Sequence, residues 1–156
     1  MITSLLIANR GEIACRVIAT AQKMGIRTIA VYSDADANAR HVQLADEAVH
    51  IGPAASSDSY LRGDKIIEAA RQTGAEAIHP GYGFLSENED FADLCQQHNI
   101  IFVGPPVASI ASMGSKSAAK AIMQEAGVPL VPGYHGSEQD AATLKQKAEE
   151  VGFPLL

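Results

Sequence analysis

Tryptophan is absent from the 156 residues, and aromatic residues make up only 5% of them. With 47% hydrophobic residues the chain is still long enough for a real core, which Ala, Ile, Leu and Val must then fill. That composition suits an α/β domain. Runs of Lys or Arg are also missing. A formal net charge of -6 excludes nucleic acid or an anionic membrane surface as the main partner. No apolar stretch approaches the roughly 20 residues needed to cross a bilayer. The N-terminus enters a strand pattern almost at once, so no signal or transit peptide is expected ahead of it. Only two cysteines occur, Cys15 and Cys95, far apart and each inside a helical pattern. They are expected as buried free thiols in a reducing, cytoplasmic setting.

Several chemistries lack their residues. A dinucleotide site needs Gly-x-Gly-x-x-Gly after the first strand, but only Gly11 stands there, although Asp34 has a plausible acidic position. Asp34, Asp36 and Asn38 open like a calcium loop, then fail at Ala39 and Ala45, where the turn glycine and the closing glutamate belong. A solvated polar loop is expected there instead. None of the five histidines, His41, His50, His79, His98 and His135, is paired at metal-ligand spacing. No serine sits in a Gly-x-Ser-x-Gly elbow.

What is present is alternation. Apolar runs at Leu5–Ala8, Thr28–Tyr32, Ala48–Ile51, Glu76–Ile78 and Ile100–Val103 read as strands covered on both faces. Helical periods separate them, with a short piece at His41–Ala45 and longer ones that stop at Gly25 and Gly74. Five strands alternating with helices predict an open, Rossmann-like parallel sheet with right-handed crossovers. After Pro106 helices dominate: about 107–113, 115–126 and 138–151, with a Pro/Gly connector at Val128–Gly136. The apolar close Phe153-Pro154-Leu155-Leu156 reads as a strand cut short, so the chain is expected to be a piece of a longer protein.

One stretch organises the rest: His79-Pro80-Gly81-Tyr82-Gly83-Phe84-Leu85-Ser86-Glu87-Asn88. It runs from a buried strand into a helix expected near Glu87, with Ser86 and Glu89 as a capping box. Strand, glycine loop and helix N-terminus form a common ligand layout in open α/β sheets. The same spacing equally suits a tight turn with no ligand. For His79 a hydrogen bond to the loop backbone is preferred over a ligand contact. Arg10 and Glu12 put a charged pair at the end of the first strand, read as a salt bridge holding adjacent loops. Arg16 points away from the apolar stripe of its helix. Lys116 lies in the first turn of a helix, where a lysine can reach a phosphate. By physics alone it is an ordinary exposed lysine.

The decapeptide from His79, Ile7-Ala8-Asn9-Arg10-Gly11-Glu12-Ile13-Ala14, and Met113-Gly114-Ser115-Lys116 together resemble the N-terminal part of biotin carboxylase. That is the ATP-dependent component of biotin-dependent carboxylases. The resemblance covers essentially the whole chain. It implies a Rossmann-like (pre-ATP-grasp) domain over residues 1–112 and the helical start of an ATP-grasp domain over 113–156. It further implies a ligase that joins ATP, bicarbonate and biotin on a carrier domain through carboxyphosphate, with Mg2+ or Mn2+ held by residues beyond Leu156. Lys116 would contact the nucleotide. Tyr82 and Gly83 would lie near the biotin ureido ring, and no residue here would be catalytic. Arg16 matches a dimer-interface position, although Ala19 and Lys23 depart from the charged contacts of the bacterial member. A biotin carboxyl carrier domain and a carboxyltransferase subunit are the implied partners. The segment Val131–Gly136 is similar to acyl-CoA carboxylases of the methylcrotonyl or propionyl type. The full-length protein is thus expected to be an enzyme, and this stretch alone inactive. The alternative is a non-catalytic α/β docking or dimerisation module. Another ATP-grasp ligase, of the purine-synthesis kind, fits the decapeptide less well.

Overall fold

The strand β1 (Ser4–Ile7) has every side chain buried, and it lies at the centre of the sheet. Its neighbours are β2 (Arg27–Ser33) and β4 (Ala77–His79), and the sheet is completed by β3 (Glu47–Gly52) and β5 (Ile101–Phe102). All pairs are parallel, in the order β3-β2-β1-β4-β5. Leu6 stands opposite Ile29 on one side and Ile78 on the other. This is a computed structural model that describes residues 2–155, and it falls into two units, one reaching to Ile110 and one starting at Ala111.

Strand residues alternate between faces, so β1 feeds two cores. Leu5 and Ile7 pack with Ala14, Ile18 and Ala21 of α1 (Gly11–Lys23). Leu6 and Ala8 share a core with Ile66, Ile67 and Ala70 of α3 (Gly63–Thr73) and with Phe91 and Cys95 of α4 (Glu89–Gln97). The short α2 (Arg40–Leu44) precedes β3. The chain winds outward from β1 through β2 to β3, then returns to the other side of β1 as β4. The winding direction reverses between β1 and β4, and the C-terminal ends of these strands therefore open a crevice.

Several local expectations change. Helix α4 starts at Glu89, and its cap is Asn88, whose side chain accepts from Phe91 N at 2.7 Å; Ser86 makes no capping box. Asparagine two residues on is as good an Ncap as serine, and the Ser86 amide is already committed to Gly83 O within the loop. The fifth strand keeps only Ile101 and Phe102 in the ladder. The loop after β2 is not simply solvated. It contains a 3-10 turn, Asp34–Asp36, and the Asp36 side chain is only 19% exposed. Cys95 is buried and Cys15 half-buried, both as free thiols.

After α5 (Val107–Gly114), the second unit holds α6 (Lys116–Glu125) and α7 (Ala141–Val151). Each is capped as its sequence allows: Ser115 Oγ accepts from Ala118 N at 3.5 Å, and Asp140 accepts from Ala142 N and Thr143 N at 3.0 Å. The Asp140 cap moves the start of α7 from Glu138 to Ala141. Among the described residues of this unit no side chain is fully buried; Val131 is 82% and Phe153 76% exposed. Residues 153–155 are not in a strand. The rest of the strand anticipated there, Leu156, lies outside the described residues.

Candidate functional site

The site is built at the C-terminal ends of β1 and β4. Asn9 follows directly on the buried β1 run and is itself buried, 1% exposed. Its side-chain amide donates to Pro80 O at 2.8 Å and to Tyr82 O at 3.0 Å. Its Oδ1 accepts from Arg10 N at 2.9 Å. Both polar atoms of the Asn9 side chain are thereby used, as burial demands. Gly81, at φ +67°, packs against it: an added Cβ would lie 2.7 Å from Asn9 Nδ2 and 2.7 Å from Ile13 Cγ2. Only glycine meets both the left-handed backbone and the close approach. His79 Nδ1 accepts from Gly81 N at 2.9 Å, the backbone role anticipated for it. Burial lowers the His79 pKa, which keeps that nitrogen free to accept.

A second cluster holds the far side of the loop. Phe84 has φ +41°, a strained value for a bulky residue. Its ring stacks on Tyr60, with centroids 5.2 Å apart and planes 9° from parallel. The Arg10 guanidinium lies 5.4 Å from the Tyr60 centroid and 5.7 Å from that of Phe84. Stacking of this kind contributes about 0.5–1.5 kcal/mol and a cation over a ring about 0.5–1 kcal/mol. Together they match the roughly 1–2 kcal/mol that a left-handed non-glycine backbone costs.

Arg10 does not pair with Glu12. Its ion-pair partner is Asp36, at 3.4 Å, on the neighbouring loop. Glu12 meets Arg16 instead, at 3.7 Å on the exposed helix face, an i,i+4 pair of little weight. Asp36 also accepts from Tyr60 Oη at 2.6 Å and Ser33 Oγ at 3.1 Å. Burial by itself would raise the Asp36 pKa, but the hydrogen bonds from Tyr60, Ser33 and Arg10 hold it below its ordinary value. The Tyr60 hydroxyl is pushed the other way, up to about 12, by burial and by Asp36. At the start of α1, His41 Nδ1 accepts from Gly11 N at 3.4 Å while Nε2–H donates to Val31 O at 3.2 Å.

The predicted site residues lie as follows. Tyr82, 61% exposed, and Gly83 form the tip of the loop. Lys116 is exposed in the first turn of α6, in the second unit, where Ser115, Lys120, Tyr134 and His135 line the same open depression. Arg16 is exposed on α1. Among the described residues no group of three or more His, Cys, Asp or Glu is arranged to hold a metal ion, so no residue here is assigned to one. No helix among them is long and apolar enough to cross a membrane. Asn9, Asp36 and Phe84 were read only within longer motifs and assigned no site role, and Tyr60 was not singled out by sequence. For Asn9 the available signal was its place as the first polar residue after the apolar run Leu5–Ala8.

A family model described as biotin carboxylase, N-terminal domain, matches residues 1–110. The chain belongs to the biotin carboxylase family. Its relatives include the mitochondrial methylcrotonoyl-CoA carboxylase subunit alpha of Dictyostelium discoideum, 61% identical over 99% of this chain and 22% of that protein. Among solved structures, biotin carboxylase of Campylobacter jejuni in complex with β,γ-ATP superposes with a TM-score of 0.94 at 50% identity, covering 99% of this chain and 34% of that one. The biotin carboxylase domain dimer of Hydrogenobacter thermophilus 2-oxoglutarate carboxylase, in complex with MgADP, ADP and bicarbonate, gives 0.92 at 48% identity, with 99% and 34% covered. The chain thus spans about a fifth of the first curated relatives' length. Within this biotin carboxylase segment, the five-stranded parallel sheet and its flanking helices are those of the family.

Proposed function

We propose that this chain supplies the first domain and the nucleotide-binding entrance of a biotin carboxylase, a ligase that uses ATP and bicarbonate to carboxylate biotin on a carrier domain. The observation that carries it is the loop Pro80–Phe84, held at the crevice between β1 and β4 in a chain of this family. Tyr82 and Gly83 present the loop tip to the biotin ureido ring. Lys116, at the start of α6 and in the same depression as Lys120, neutralises nucleotide phosphate, with the helix amides adding partial positive charge. The division at residues 1–112 and 113–156 separates these two roles.

Bound ATP would bring a divalent ion, Mg2+ or Mn2+, to spread phosphate charge, with its ligands among residues other than these 156. The 61% identity to a methylcrotonoyl-CoA carboxylase alpha subunit and the 56% identity to a propionyl-CoA carboxylase alpha chain support an acyl-CoA carboxylase of one of these types. A carboxyltransferase subunit is then the downstream partner, and the exposed α1 face around Arg16 contributes to a homo-oligomer. The free thiols suit a cytoplasmic setting, while the Dictyostelium discoideum relative named above carries a mitochondrial designation. One lysine cannot neutralise a triphosphate alone, so these 156 residues by themselves carry no turnover.

The test is Lys116→Ala in the intact carboxylase subunit, with ATP affinity read by calorimetry. Loss of one charge-assisted phosphate contact, about 1.5–3 kcal/mol, predicts a Kd weaker by roughly ten- to 150-fold. Unchanged nucleotide affinity would remove Lys116 from the site. Biotin-dependent ATP cleavage by residues 1–156 alone would refute the inactivity of the segment.

A further inference from the structure

We infer that Asn9 is a positioning residue for the loop tip, fixing the Tyr82–Gly83 peptide in the orientation that biotin meets. This rests on the reading that Tyr82 and Gly83 face biotin.

The polar capacity of Asn9 is spent on backbone. Both amide hydrogens go to loop carbonyls at 2.8 and 3.0 Å, and Oδ1 is taken by Arg10 N. At 1% exposure it has neither a free donor nor a surface for substrate, so it acts through the loop. The loop tip has few other holds. Tyr82 is 61% exposed, and no Cβ placed on Gly83 would meet an atom within 4 Å. The Tyr82 carbonyl is pinned inward by Asn9. Because a trans peptide is planar, with C=O and N–H opposed, the Gly83 N–H is turned outward, away from Asn9. Gly83, at φ +66°, carries the N–H of that peptide, and glycine backbone samples other basins readily. Without the Asn9 bond the peptide is free to rotate.

Gly81 seals the arrangement from below. With an added Cβ 2.7 Å from Asn9 Nδ2, the loop backbone already rests on the amide and cannot settle closer to β1. Asn9 therefore sets both the height of the loop and the plane of its tip. It reaches the loop from the neighbouring strand, 71 residues away to Pro80 and 73 to Tyr82, so the loop does not depend on its own short-range bonds alone.

The experiment uses the intact carboxylase subunit with free biotin as the probe. Asn9→Asp keeps the size and removes both donors; Asn9→Ser is the milder second variant, should the first not fold. Tyr82→Ala is the reference. KM for biotin and KM for ATP are measured for each. A positioning role predicts biotin KM raised about tenfold in Asn9→Asp and less in Asn9→Ser, with ATP KM within about twofold of the parent. Amide exchange at residues 81–84 should quicken while the β1 amides keep their rates. Biotin KM unchanged in the Asn9 variants, or both KM values rising alike, overturns the role. If Tyr82→Ala raises biotin KM and the Asn9 variants do not, only the positioning role falls. If Tyr82→Ala also leaves biotin KM unchanged, the assignment of the loop to biotin falls with it.

Discussion

The Tyr60 hydroxyl lies 2.6 Å from Asp36 Oδ2 and donates to it, joining the turn before α3 to the loop after β2. The same hydroxyl accepts from Ser33 N at 3.2 Å, and the Tyr60 ring is fully buried. Tyr60→Phe keeps the stack on Phe84 but strips Ser33 N of its acceptor and Asp36 of a donor. A buried amide left without a partner costs about 1–3 kcal/mol, so urea unfolding should show that loss with an unchanged m-value. A loss under half a kcal/mol would mean that water replaces the hydroxyl at little penalty.

Acid should destabilise the first domain in two ranges. Asp36 is held below its ordinary value of 3.8, so its stabilisation is complete above that value and is lost as pH falls through the lower folded value. His41 and His79 are both lowered below 6.5, chiefly by burial. The unfolded chain then binds more protons, so their contribution is full above 6.5 and declines as pH falls through the folded values. Both effects share one sign. Denaturation midpoints measured across pH should fall below 6.5 and again below 3.8. His41→Gln, which cannot titrate, should reduce the first decline; an unaltered profile would contradict the burial of a neutral His41.

Gly81 and Gly83 separate backbone strain from contact. Their φ values are +67° and +66°, so an alanine at either meets the same left-handed penalty, about 1–2 kcal/mol. At Gly83 an added Cβ meets nothing within 4 Å, whereas at Gly81 it strikes Asn9 and Ile13. Gly81→Ala should therefore destabilise by roughly 1–3 kcal/mol more than Gly83→Ala in chemical denaturation. Equal losses would show that the Asn9 contact yields freely.

The two thiols should differ in reactivity. Burial pushes the Cys95 pKa up to about 12, and its side chain is 0% exposed in the core beneath α4. Cys15 is half-buried on α1. A disulfide reagent such as Ellman's should label Cys15 in the folded protein and Cys95 only after denaturation. Rapid labelling of both would mean that α4 opens locally.

Element type was readable because it depends on local pattern. The apolar runs at Leu5–Ala8 and Thr28–Tyr32 and the glycine stops at Gly25 and Gly74 all marked real elements, displaced by a residue or two. The α4 cap was misplaced because Ser86 and Asn88 are both good caps, and the choice turned on a loop hydrogen bond from Ser86 N to Gly83 O. The Arg10 partner was missed for a related reason. Glu12 is near in sequence, but at the start of a helix its side chain projects along α1, toward Arg16, while Asp36 comes alongside only when β2 pairs with β1.

By itself the sequence determined the parallel α/β character, the family, and the position of the glycine loop after the fourth strand. These follow from period, punctuation and motif order, which need no knowledge of what packs on what. Only the tertiary structure decided that β4 lies against β1. That placement sets Asn9 beside Pro80 and Tyr82, and brings Arg10, Tyr60 and Phe84 into one stack. The physical reason is chain distance. Contacts between residues separated by 71 or 73 positions arise from strand order and from the burial of both sheet faces, and no local propensity encodes them.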